Sequence, residues 1–346
     1  MDLPQKTGIQ KEVILTDLNT LGLQSVAPLF IDITAESQLK ELGESRFFTD
    51  QSPFILGGGS NVLLNERLSV PVLKMSIPGV EITHDDGKNV EVKVGAGENW
   101  HKFVSWAVRN GFGGVENLAF IPGTMGAAPI QNIGAYGVEL ESHFASLKAY
   151  DLKRKEFHTF NKEECEFGYR DSIFKRELKG VMVVTSVTLR LHKKDHVIHD
   201  SYYALKDYLH QNKILNPGVE DIYKAVIDIR QSKLPDPSMI GNAGSFFKNP
   251  VIEQSQFNEL KSDWEGIPGY PDGAGSVKVP AAWLIEKAGW KGLRIGNVGT
   301  YKTQALVIVN HGGATGKEVV EFSKKIQQSV SELFGIDLIP EVNIIE

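Results

Sequence analysis

The run IPGTMGAAPIQNIGAYG at positions 121–137 constrains the fold of this chain more than any other segment. It carries too many glycines for a regular helix or strand, and too many apolar residues for a disordered linker. Buried, ordered loops of this composition are typical of segments that wrap a ligand. The run therefore predicts a binding loop rather than a simple connection.

A second glycine loop, LGGGSN at 56–61, lies between two apolar runs. Its backbone N–H groups have no side chains in the way, and a hydroxyl and an amide follow them, which suits a pyrophosphate. One such loop is explained as well by a tight turn that needs glycine. Two loops favour a large phosphate-bearing cofactor, with apolar side chains to cover a flat ring system. Those side chains are Ile121, Pro122, Ile130 and Ile133.

Familiar nucleotide and hydrolase motifs are missing from the sequence. GFGGVE places Glu116, and GAGENW places Trp100, where a dinucleotide fingerprint needs its third glycine. No P-loop pattern occurs, and neither Ser60 nor Ser245 stands in a G-x-S-x-G elbow. HKKDH spaces two histidines four apart without H-E-x-x-H, so a solvated loop is expected there and no metal.

Charge and cysteine content exclude further classes of protein. The formal net charge is -6 without a long basic block, which argues against nucleic acid and membrane-surface partners. Cys165 is the only cysteine, so an internal disulfide and multi-cysteine metal sites are excluded. No apolar run approaches the ~20 residues of a membrane-spanning helix. MDLPQKTGIQKEV lacks the features of a secretion signal, and a cytoplasmic location is expected.

The length of 346 residues predicts two or three domains, since single cores usually divide beyond roughly 250–300 residues. We predict a strand and a helix in LFIDITAESQLKELGE and a hairpin in VEITHDDGKNVEVKVGAG. One helix, ENWHKFVSWAVRNG, is predicted within a mostly β segment from 77 to 233. The prolines of KLPDPS mark a boundary. Because there is no βαβ rhythm, the mixture predicts an α+β fold.

Two helices are predicted in the last third of the chain, in VPAAWLIEKAG and GKEVVEFSKKIQQSVSELFG. The second has one apolar face at helical spacing, which predicts packing against a core. That face consists of Val319, Phe322, Ile326, Val330 and Leu333. A final extended segment, IDLIPEVNII, follows.

An ordered set of motifs carries a resemblance to a known family. The motifs are ILGGGSNVLL, VGAGENWHKFV, ENLAFIPGTMGAAPIQNIGAYGVEL, ECEFGYRDSIFK, KLPDP, GNAGSFFKNP and AAWLIEKAGWKG. Together they closely resemble the bacterial UDP-N-acetylenolpyruvoylglucosamine reductases of peptidoglycan synthesis, in the longer type I form. The resemblance runs from NTLGL at 19 to PEV at 340 and so covers nearly the whole chain.

The resemblance implies three domains, of which two form an FAD-binding unit of the PCMH/vanillyl-alcohol-oxidase type and the third is an α+β substrate domain. On this sequence the domains fall at 1–76, 77–233 and 234–335, with 336–346 near the active site. The resemblance further implies non-covalent FAD and NADPH as the co-substrate. The implied reaction reduces UDP-N-acetylenolpyruvoylglucosamine to UDP-N-acetylmuramate. A monomer is expected.

Three residues match the family's catalytic positions: Arg170 in FGYRDSIF, Ser245 in GNAGSFFKNP and Glu341 in IPEV. Hydride addition to an enol ether needs the new charge to spread into the substrate carboxylate, and a bidentate arginine suits that group. A serine can protonate the resulting enolate because the enolate is a strong base. A carboxylic acid beside an enolate has to be protonated, so a raised pKa is expected for Glu341.

Plainer roles account for these residues if the resemblance is set aside. Arg170 is then in an ion pair with Asp171, Ser245 is a turn hydroxyl and Glu341 is an exposed terminal carboxylate. Two other functions also stay open from the residues alone. They are an oxidase of the same flavoprotein superfamily, and a UDP-sugar or flavin binder without catalysis.

The glycine loops and the resemblance also imply positions for the ligands. The FAD positions are Gly57, Gly58, Gly59, Ser60, Asn61, Pro122, Gly123, Ile133 and Gly134. The substrate positions are Tyr136, Tyr169, Tyr202, Lys233, Asn249 and Gln304, with Tyr203 as the alternative to Tyr202. Cys165 lies outside both glycine loops, which argues against a covalently tethered flavin.

Overall fold

The computed structural model describes residues 8–45, 47–50 and 52–345, so parts of the predicted first domain and the end of the 336–346 segment lie outside the described residues. The chain divides into two compact units. The first consists of Met1–Val13, Ala27–Gly58 and Ser69–Ser232, and the second of Ile14–Val26, Gly59–Leu68 and Lys233–Glu346. The division into three domains stays a prediction.

Strands and helices are distributed over both units. In chain order the strands are β1 (Gln10–Ile14), β2 (Val26–Ile33), β3 (Phe54–Leu56), β4 (Val62–Leu64), β5 (Val72–Met75), β6 (Val80–Asp85), β7 (Asn89–Gly95), β8 (Gly134–Ala135), β9 (Val138–Glu139), β10 (Phe144–Asp151), β11 (Glu156–Phe160), β12 (Met182–His192), β13 (Gly241–Ser245), β14 (Val251–Glu253), β15 (Tyr270–Pro271), β16 (Ser276–Lys278), β17 (Arg294–Ile295), β18 (Val298–Thr300), β19 (Val307–Asn310) and β20 (Asn343–Ile345). The helices are α1 (Glu36–Glu44), α2 (Phe47–Asp50), α3 (Trp100–Arg109), α4 (Tyr203–Gln211), α5 (Val219–Lys233), α6 (Gln254–Asp263), α7 (Ala281–Lys287) and α8 (Gly316–Phe334).

The first unit begins with a four-stranded sheet in the order β1-β2-β5-β3. The predicted strand and helix of LFIDITAESQLKELGE form as β2 and α1, and Leu39 and Leu42 of α1 share a buried cluster with Ile31 and Ile33. Strands β2 and β3 both pair with β5 in parallel. This parallel pairing is local and is compatible with the predicted α+β class. Strands β3 and β5 have only 3 and 4 residues, too few to display a βαβ rhythm in the sequence.

The same unit contains a five-stranded antiparallel sheet in the order β11-β10-β12-β7-β6. The predicted hairpin forms as β6 and β7, and the predicted helix forms as α3. One face of α3 buries Trp100, Phe103, Val104 and Ala107 in the core of the sheet. Helix α3, which precedes the long glycine loop, and strand β10, which follows it, are thus both fixed by apolar burial.

The prediction of a single helix between 77 and 233 is wrong, because α4 and α5 also lie there. Helix α5 buries Val219, Ile222, Val226 and Ile229, which recur at helical spacing. The signal was therefore present in the sequence. Charged residues between these positions make the apolar period of the helix weaker than the β pattern that precedes it.

The second unit has an antiparallel sheet in the order β13-β19-β18-β17 and a small sheet in the order β14-β16-β15. Strand β20 pairs with β4 in parallel. The predicted helices of the last third form as α7 and α8 and pack with these strands in one buried cluster. None of the helices described in either unit combines the length and the apolar character that crossing a membrane requires.

The predicted apolar face of α8 is wrong at one position. Leu333 is 47% exposed, whereas its neighbour Phe334 is 4% exposed. The ring of Phe334 packs against Trp264 and Trp283, with centroids 4.7 Å and 5.9 Å away. At 3.6 residues per turn, both 333 and 334 follow Val330 near the core-facing side, and the aromatic partners decide between them.

Candidate active site

Ser245 is the last residue of β13 and is exposed. The pairing of β13 with β19 shifts register between Asn242 and Ser245, so the strand bulges just before the serine. Gly244 adopts a φ of +69° in that bulge, and its N–H donates to Asn242 Oδ1 at 3.0 Å. A residue with a side chain is strained at this φ, which explains the glycine. The bulge therefore ends at the serine, which pairs again with Val307 of β19 while its side chain stays exposed.

The two phenylalanines after Ser245 anchor the end of β13 in the core of the second unit. Phe246 and Phe247 are each 1% exposed, with ring centroids 5.2 Å apart. The Phe246 N–H donates to Leu306 O at 2.8 Å. The exposed serine thus directly precedes a residue that is almost fully buried and hydrogen-bonded through its backbone. This attachment limits the freedom of the serine to move.

Glu341 is fastened to the same strand segment. Its N–H donates to Phe246 O at 2.8 Å, and the Lys248 N–H donates to Ile339 O at 2.9 Å. Phe247 and Pro340 form an isolated antiparallel bridge between these two bonds. The structure therefore places Glu341 beside the residue that follows Ser245, although the two are far apart in sequence.

Asn61 joins the end of the glycine loop at 56–61 to this pair. Its Nδ2 donates to Glu341 O at 3.3 Å, and its carbonyl accepts from both N and Nδ2 of Asn343 at 3.1 Å. Ser60 precedes it in the same unit, and both residues are half-buried. Residues 60–61, Ser245 and Glu341 are thus neighbours within the second unit.

Arg170 lies in the first unit, in a tight turn closed by reciprocal backbone bonds between Gly168 and Asp171 at 3.1 Å. Its φ is +54°, a conformation that is uncommon without glycine and that clusters at functional sites. Asp171 accepts a hydrogen bond from Arg176. The Arg170 guanidinium points elsewhere, donating to Gly134 O at 2.5 Å.

The guanidinium of Arg170 is framed by the long glycine loop. Glu139 Oε1 lies 3.9 Å from Nη1 of Arg170. A Cβ on Gly134 would lie 2.8 Å from the same Nη1, so the glycine at this position admits the arginine. Behind them, the fully buried Asn132 donates from Nδ2 to Glu139 Oε2 at 3.2 Å and to Gly168 O at 3.2 Å. One amide side chain thus ties the two loops together.

Arg230 of α5 is a second cation in this region, and the sequence analysis missed it. Its Nε donates to Phe120 O at 3.1 Å, and its guanidinium is hydrogen-bonded to Tyr136. Burial lowers the pKa of Arg230, and the neighbouring charge of Arg170 acts in the same direction. Burial raises the pKa of Tyr136. A guanidinium that is partly withdrawn from water next to another guanidinium favours an anionic ligand.

Aromatic rings surround the two arginines. The Tyr136 and Tyr202 rings meet edge to face at 5.4 Å, and Arg170 lies over the Tyr169 ring at 5.3 Å. Tyr203 is 83% exposed and begins α4, whereas Tyr202 precedes that helix and is 51% exposed. The contact with Tyr136 favours Tyr202 over Tyr203 as the predicted substrate residue, a role that stays a prediction.

The two glycine loops meet inside the first unit. A Cβ on Gly57 would lie 2.7 Å from Thr124 Oγ1, and a Cβ on Gly58 would lie 2.7 Å from Gly123 Cα. The Thr124 hydroxyl is buried and has no hydrogen-bond partner in the described part of the chain. An orphaned hydroxyl beside two loops free of side chains fits a phosphate, so these residues fit the dinucleotide FAD.

Other predicted FAD positions have local structural roles as well. Gly59 lies in the second unit with a φ of +63°, and its carbonyl accepts from the Thr20 N–H at 3.0 Å. Pro122 is exposed and Ile133 is 8% exposed, so the loop offers both an accessible edge and a buried apolar side. Their contacts with FAD stay predictions.

The remaining predicted substrate residues lie in the second unit. Lys233 is exposed, and its carbonyl accepts from Thr303 Oγ1 at 2.8 Å, which brings it next to Gln304. Gln304 Oε1 accepts from the Leu306 N–H at 3.4 Å. Asn249 Oδ1 accepts from the Ala281 N–H at 3.0 Å, at the start of α7. Asn249 therefore has a helix-capping role whatever its part in binding.

Cys165 is fully buried, and burial raises the pKa of its thiol to about 12. A thiol of this kind carries no thiolate near neutral pH, so it is not a nucleophile for flavin attachment. This agrees with the prediction that the flavin is not tethered through the cysteine.

Sequence reasoning missed Arg230, Asn132 and Thr124. A helical reading of VEDIYKAVIDIRQSK would have placed Arg230 at the border of an apolar face, four residues after Val226. Asn132 and Thr124 stand within the glycine-rich run and carry no signal of their own. Only the folded structure shows that Asn132 is a buried connector and that the buried Thr124 hydroxyl has no hydrogen-bond partner among the residues the structure describes.

Two family models match the chain. The model of the UDP-N-acetylenolpyruvoylglucosamine reductase C-terminal domain matches residues 236–345. An FAD binding domain model matches residues 49–155, which hold both glycine loops. The prediction of an FAD-binding unit followed by a further domain agrees with these matches.

Individual relatives extend the similarity over the whole chain. A UDP-N-acetylenolpyruvoylglucosamine reductase from Flavobacterium johnsoniae is 45% identical over 97% of this chain and 99% of its own. The crystal structure of UDP-N-acetylenolpyruvylglucosamine reductase from Thermus caldophilus has a TM-score of 0.67 at 25% identity, covering 98% of this chain and 100% of that one.

A solvent-stable cholesterol oxidase, with a TM-score of 0.51 at 11% identity, covers 98% of this chain and 88% of that one and shows a shared fold alone. The predicted α+β flavoprotein fold is confirmed. The chain belongs to the UDP-N-acetylenolpyruvoylglucosamine reductase family of FAD-dependent oxidoreductases.

Proposed function

We propose that the protein is an NADPH-dependent flavoenzyme that reduces UDP-N-acetylenolpyruvoylglucosamine to UDP-N-acetylmuramate, with Arg170, Ser245 and Glu341 as catalytic residues. The observation that carries the proposal is the local geometry of the family's three positions. Arg170 is held in a left-handed turn beside a second guanidinium, and Glu341 is bonded to the residue that follows Ser245. Turn hydroxyls and exposed terminal carboxylates do not require such fixed surroundings.

The reaction adds one hydride and one proton across the carbon–carbon double bond of the enolpyruvyl ether. When bound and reduced by NADPH, FAD supplies the hydride. The hydride adds to the terminal carbon, and the electron pair of the double bond moves onto the carbon next to the carboxylate. That carbon and the carboxylate together form a dianionic enolate. A proton then reaches this carbon, and the product is the lactyl ether.

Arg170 has the charge and the shape to bind the carboxylate that receives the new negative charge. Its side chain is 21% exposed, and Gly134 and Glu139 define the direction of the guanidinium. A fixed cation stabilises developing charge without reorganising during the reaction, which typically contributes about 10²–10³-fold. Arg230 lies close enough to act electrostatically on Arg170 and strengthens the positive potential for a carboxylate or a diphosphate.

Ser245 is proposed to donate its hydroxyl proton to the enolate carbon. The hydroxyl is exposed on a bulged strand, so a substrate can approach it. No neighbouring base is required because the enolate itself is the base. Glu341, in its protonated form, is proposed to stabilise the enolate oxygens by donating a hydrogen bond, as a carboxylic acid kept neutral can do.

The test separates the two half-reactions under anaerobic conditions. NADPH should bleach the flavin absorbance band of the purified protein, and UDP-N-acetylenolpyruvoylglucosamine should restore it with formation of UDP-N-acetylmuramate. Failure of the substrate to restore the band would refute the proposed reaction. If an alcohol or a sugar bleached the band and oxygen then restored it, the protein would be an oxidase instead.

A further inference from the structure

Phe120 precedes the cofactor loop 121–124 and has a φ of +58°. For a residue with a bulky side chain, this left-handed conformation carries an energetic cost. Contacts outside the residue have to compensate for that cost. The direction in which the following residues leave Phe120 depends on this conformation, and two of those residues are Pro122 and Gly123.

Both backbone polar groups of Phe120 are bonded to side chains rather than to a ladder. Its N–H donates to His101 Nδ1 at 3.0 Å, and its carbonyl accepts from Arg230 Nε at 3.1 Å. His101 belongs to α3 and Arg230 to α5, so two helices of the first unit hold one residue from opposite sides. A backbone group left there without its partner destabilises the conformation of Phe120.

The imidazole of His101 is itself held in place. It stacks on the Tyr223 ring at a centroid distance of 6.0 Å and an angle of 16°, and it meets the Phe120 ring edge-on at 5.4 Å. The Tyr223 hydroxyl lies 2.6 Å from Ser105 Oγ. The ring therefore has little freedom to rotate, and its Nδ1 stays directed at the Phe120 N–H.

An Nδ1 atom that accepts a hydrogen bond carries no proton, so the proton of the neutral ring is on Nε2. Burial lowers the pKa of His101, and the charge of Arg230 lowers it further. Tyr223 from α5 and Phe120 from its loop are the other groups packed on the ring. The surroundings thus favour the neutral acceptor form.

Neighbouring residues hold the same loop by bonds that do not titrate. The Met125 N–H donates to Glu98 O at 2.8 Å and the Trp100 N–H donates to Gly123 O at 3.1 Å. The Trp100 indole donates to Leu118 O at 2.8 Å. These bonds persist at any ordinary pH, whereas the bond at His101 is lost when the ring is protonated.

We propose that His101 is a positioning residue for FAD: its Nδ1, together with the Arg230 guanidinium, holds Phe120 in the left-handed conformation that sets the cofactor loop 121–124. The proposal rests on the proposed function, in that this loop is taken to contact FAD. It adds that the affinity for FAD depends on the unprotonated Nδ1 of His101, which lies outside the loop.

Two variants separate the acceptor from the ring. In His101→Asn the amide oxygen occupies about the position of Nδ1 and cannot titrate, whereas His101→Phe keeps the stacking ring without the acceptor. The probe is FAD itself, added to the apoprotein and followed by the quenching of flavin fluorescence. We expect His101→Phe to weaken FAD binding about tenfold, as one orphaned donor implies. His101→Asn should stay within about threefold of the wild type.

The pH dependence of FAD binding distinguishes the acceptor role of His101 from a purely structural role, because a purely structural role does not depend on protonation. As the pH falls below the ordinary histidine value of 6.5 towards the lowered pKa of His101, the wild type should lose affinity. His101→Asn should lose less, so the ratio of the two dissociation constants should change with pH. His84→Asn, in exposed strand β6, is the matched control and should follow the wild type.

Three outcomes overturn or separate the proposals. A pH-independent ratio between wild type and His101→Asn refutes the protonation-sensitive anchor, even where His101→Phe does not fold. Equal FAD affinity of folded His101→Phe and wild type refutes the positioning role. A wild type that binds no FAD refutes the proposed function instead, before any variant is compared.

Discussion

Arg170 in the first unit and Ser245 in the second are both held at fixed positions, but by different parts of the chain. Arg170 depends on side chains and loops: Gly134 O receives its guanidinium, Glu139 flanks it, and Asn132 connects both loops. Ser245 depends on backbone: a strand bulge before it and a backbone hydrogen bond after it, from Glu341 to Phe246.

The difference predicts where each region tolerates change. A site fixed by backbone hydrogen bonds should keep its geometry when most neighbouring side chains are replaced, because the bonds do not involve them. A site fixed by a polar side-chain network should lose geometry when any one member is removed, because the remaining members are left partly unsatisfied. Variants in the two units can therefore test whether the two regions differ in this way.

The largest effect is expected from Arg170→Ala. Removing a cation that stabilises the developing enolate should slow substrate-driven flavin reoxidation by about 10³-fold, while reduction by NADPH changes little. Rapid-mixing absorbance under anaerobic conditions measures both steps. Arg154→Ala is the matched control, since that side chain is 77% exposed in the same unit. Equal losses in both half-reactions would contradict the assigned role.

Ser245→Ala should slow reoxidation by about 10²–10³-fold, as expected for loss of a general acid. The melting temperature of Ser245→Ala should be unchanged. The end of β13 is held by backbone hydrogen bonds, which the substitution leaves in place. Calorimetry and the same rapid-mixing assay measure the two quantities. Ser262→Ala on the exposed surface of α6 is the control. A normal reoxidation rate in Ser245→Ala would remove the serine from the mechanism.

Glu139→Ala should slow reoxidation roughly ten- to hundredfold through displacement of Arg170, since misplacing a reacting group by about 1 Å costs up to that factor. Glu139→Gln keeps an oxygen for the Asn132 amide and should recover much of the rate. Steady-state kinetics should show the loss in kcat more than in KM. Glu156→Ala, exposed on β11, is the control. An inactive Glu139→Gln beside an active Glu139→Ala would contradict positioning.

The smallest effect is expected from Asn343→Ala, within about threefold of the wild-type rate. Its side chain donates to Asn61 O, but its backbone N–H donates to the same oxygen at the same distance of 3.1 Å and remains in the variant. Turnover and melting temperature measure the outcome. A loss as large as that of Glu139→Ala would break the distinction between the two units.

Much of the fold was predictable because its apolar patterns are long. The ten-residue α3 and the hairpin β6–β7 follow directly from spacing and turn residues, as do α7 and most of α8. The parallel pairing of β3 with β5 was not predictable, since three and four residues carry no period. The position of Phe334 in the core was decided by Trp264 and Trp283, which lie far away in the sequence.

The candidate site was predictable in its residue types but not in its connections. The motif set carries Arg170, Ser245 and Glu341 as separate points along the chain. Nothing in the sequence indicates that Glu341 is bonded to the residue after Ser245, or that Asp171 is bonded to Arg176. Hydrogen bonds between distant segments have no local sequence signature, because any residue supplies the backbone groups.

Local sequence is sufficient to identify the two glycine loops, the absence of a Rossmann fingerprint and the family to which these motifs belong. Short-range physics suffices for those features, since glycine spacing and apolar period act over a few residues. Tertiary packing brings Arg230 and His101 to Phe120 and lets Asn132 join the loop that carries Arg170. It also buries the Thr124 hydroxyl without a hydrogen-bond partner among the described residues. Burial and hydrogen-bond partnership are properties of the packed chain, because they depend on which distant segments exclude water from each group.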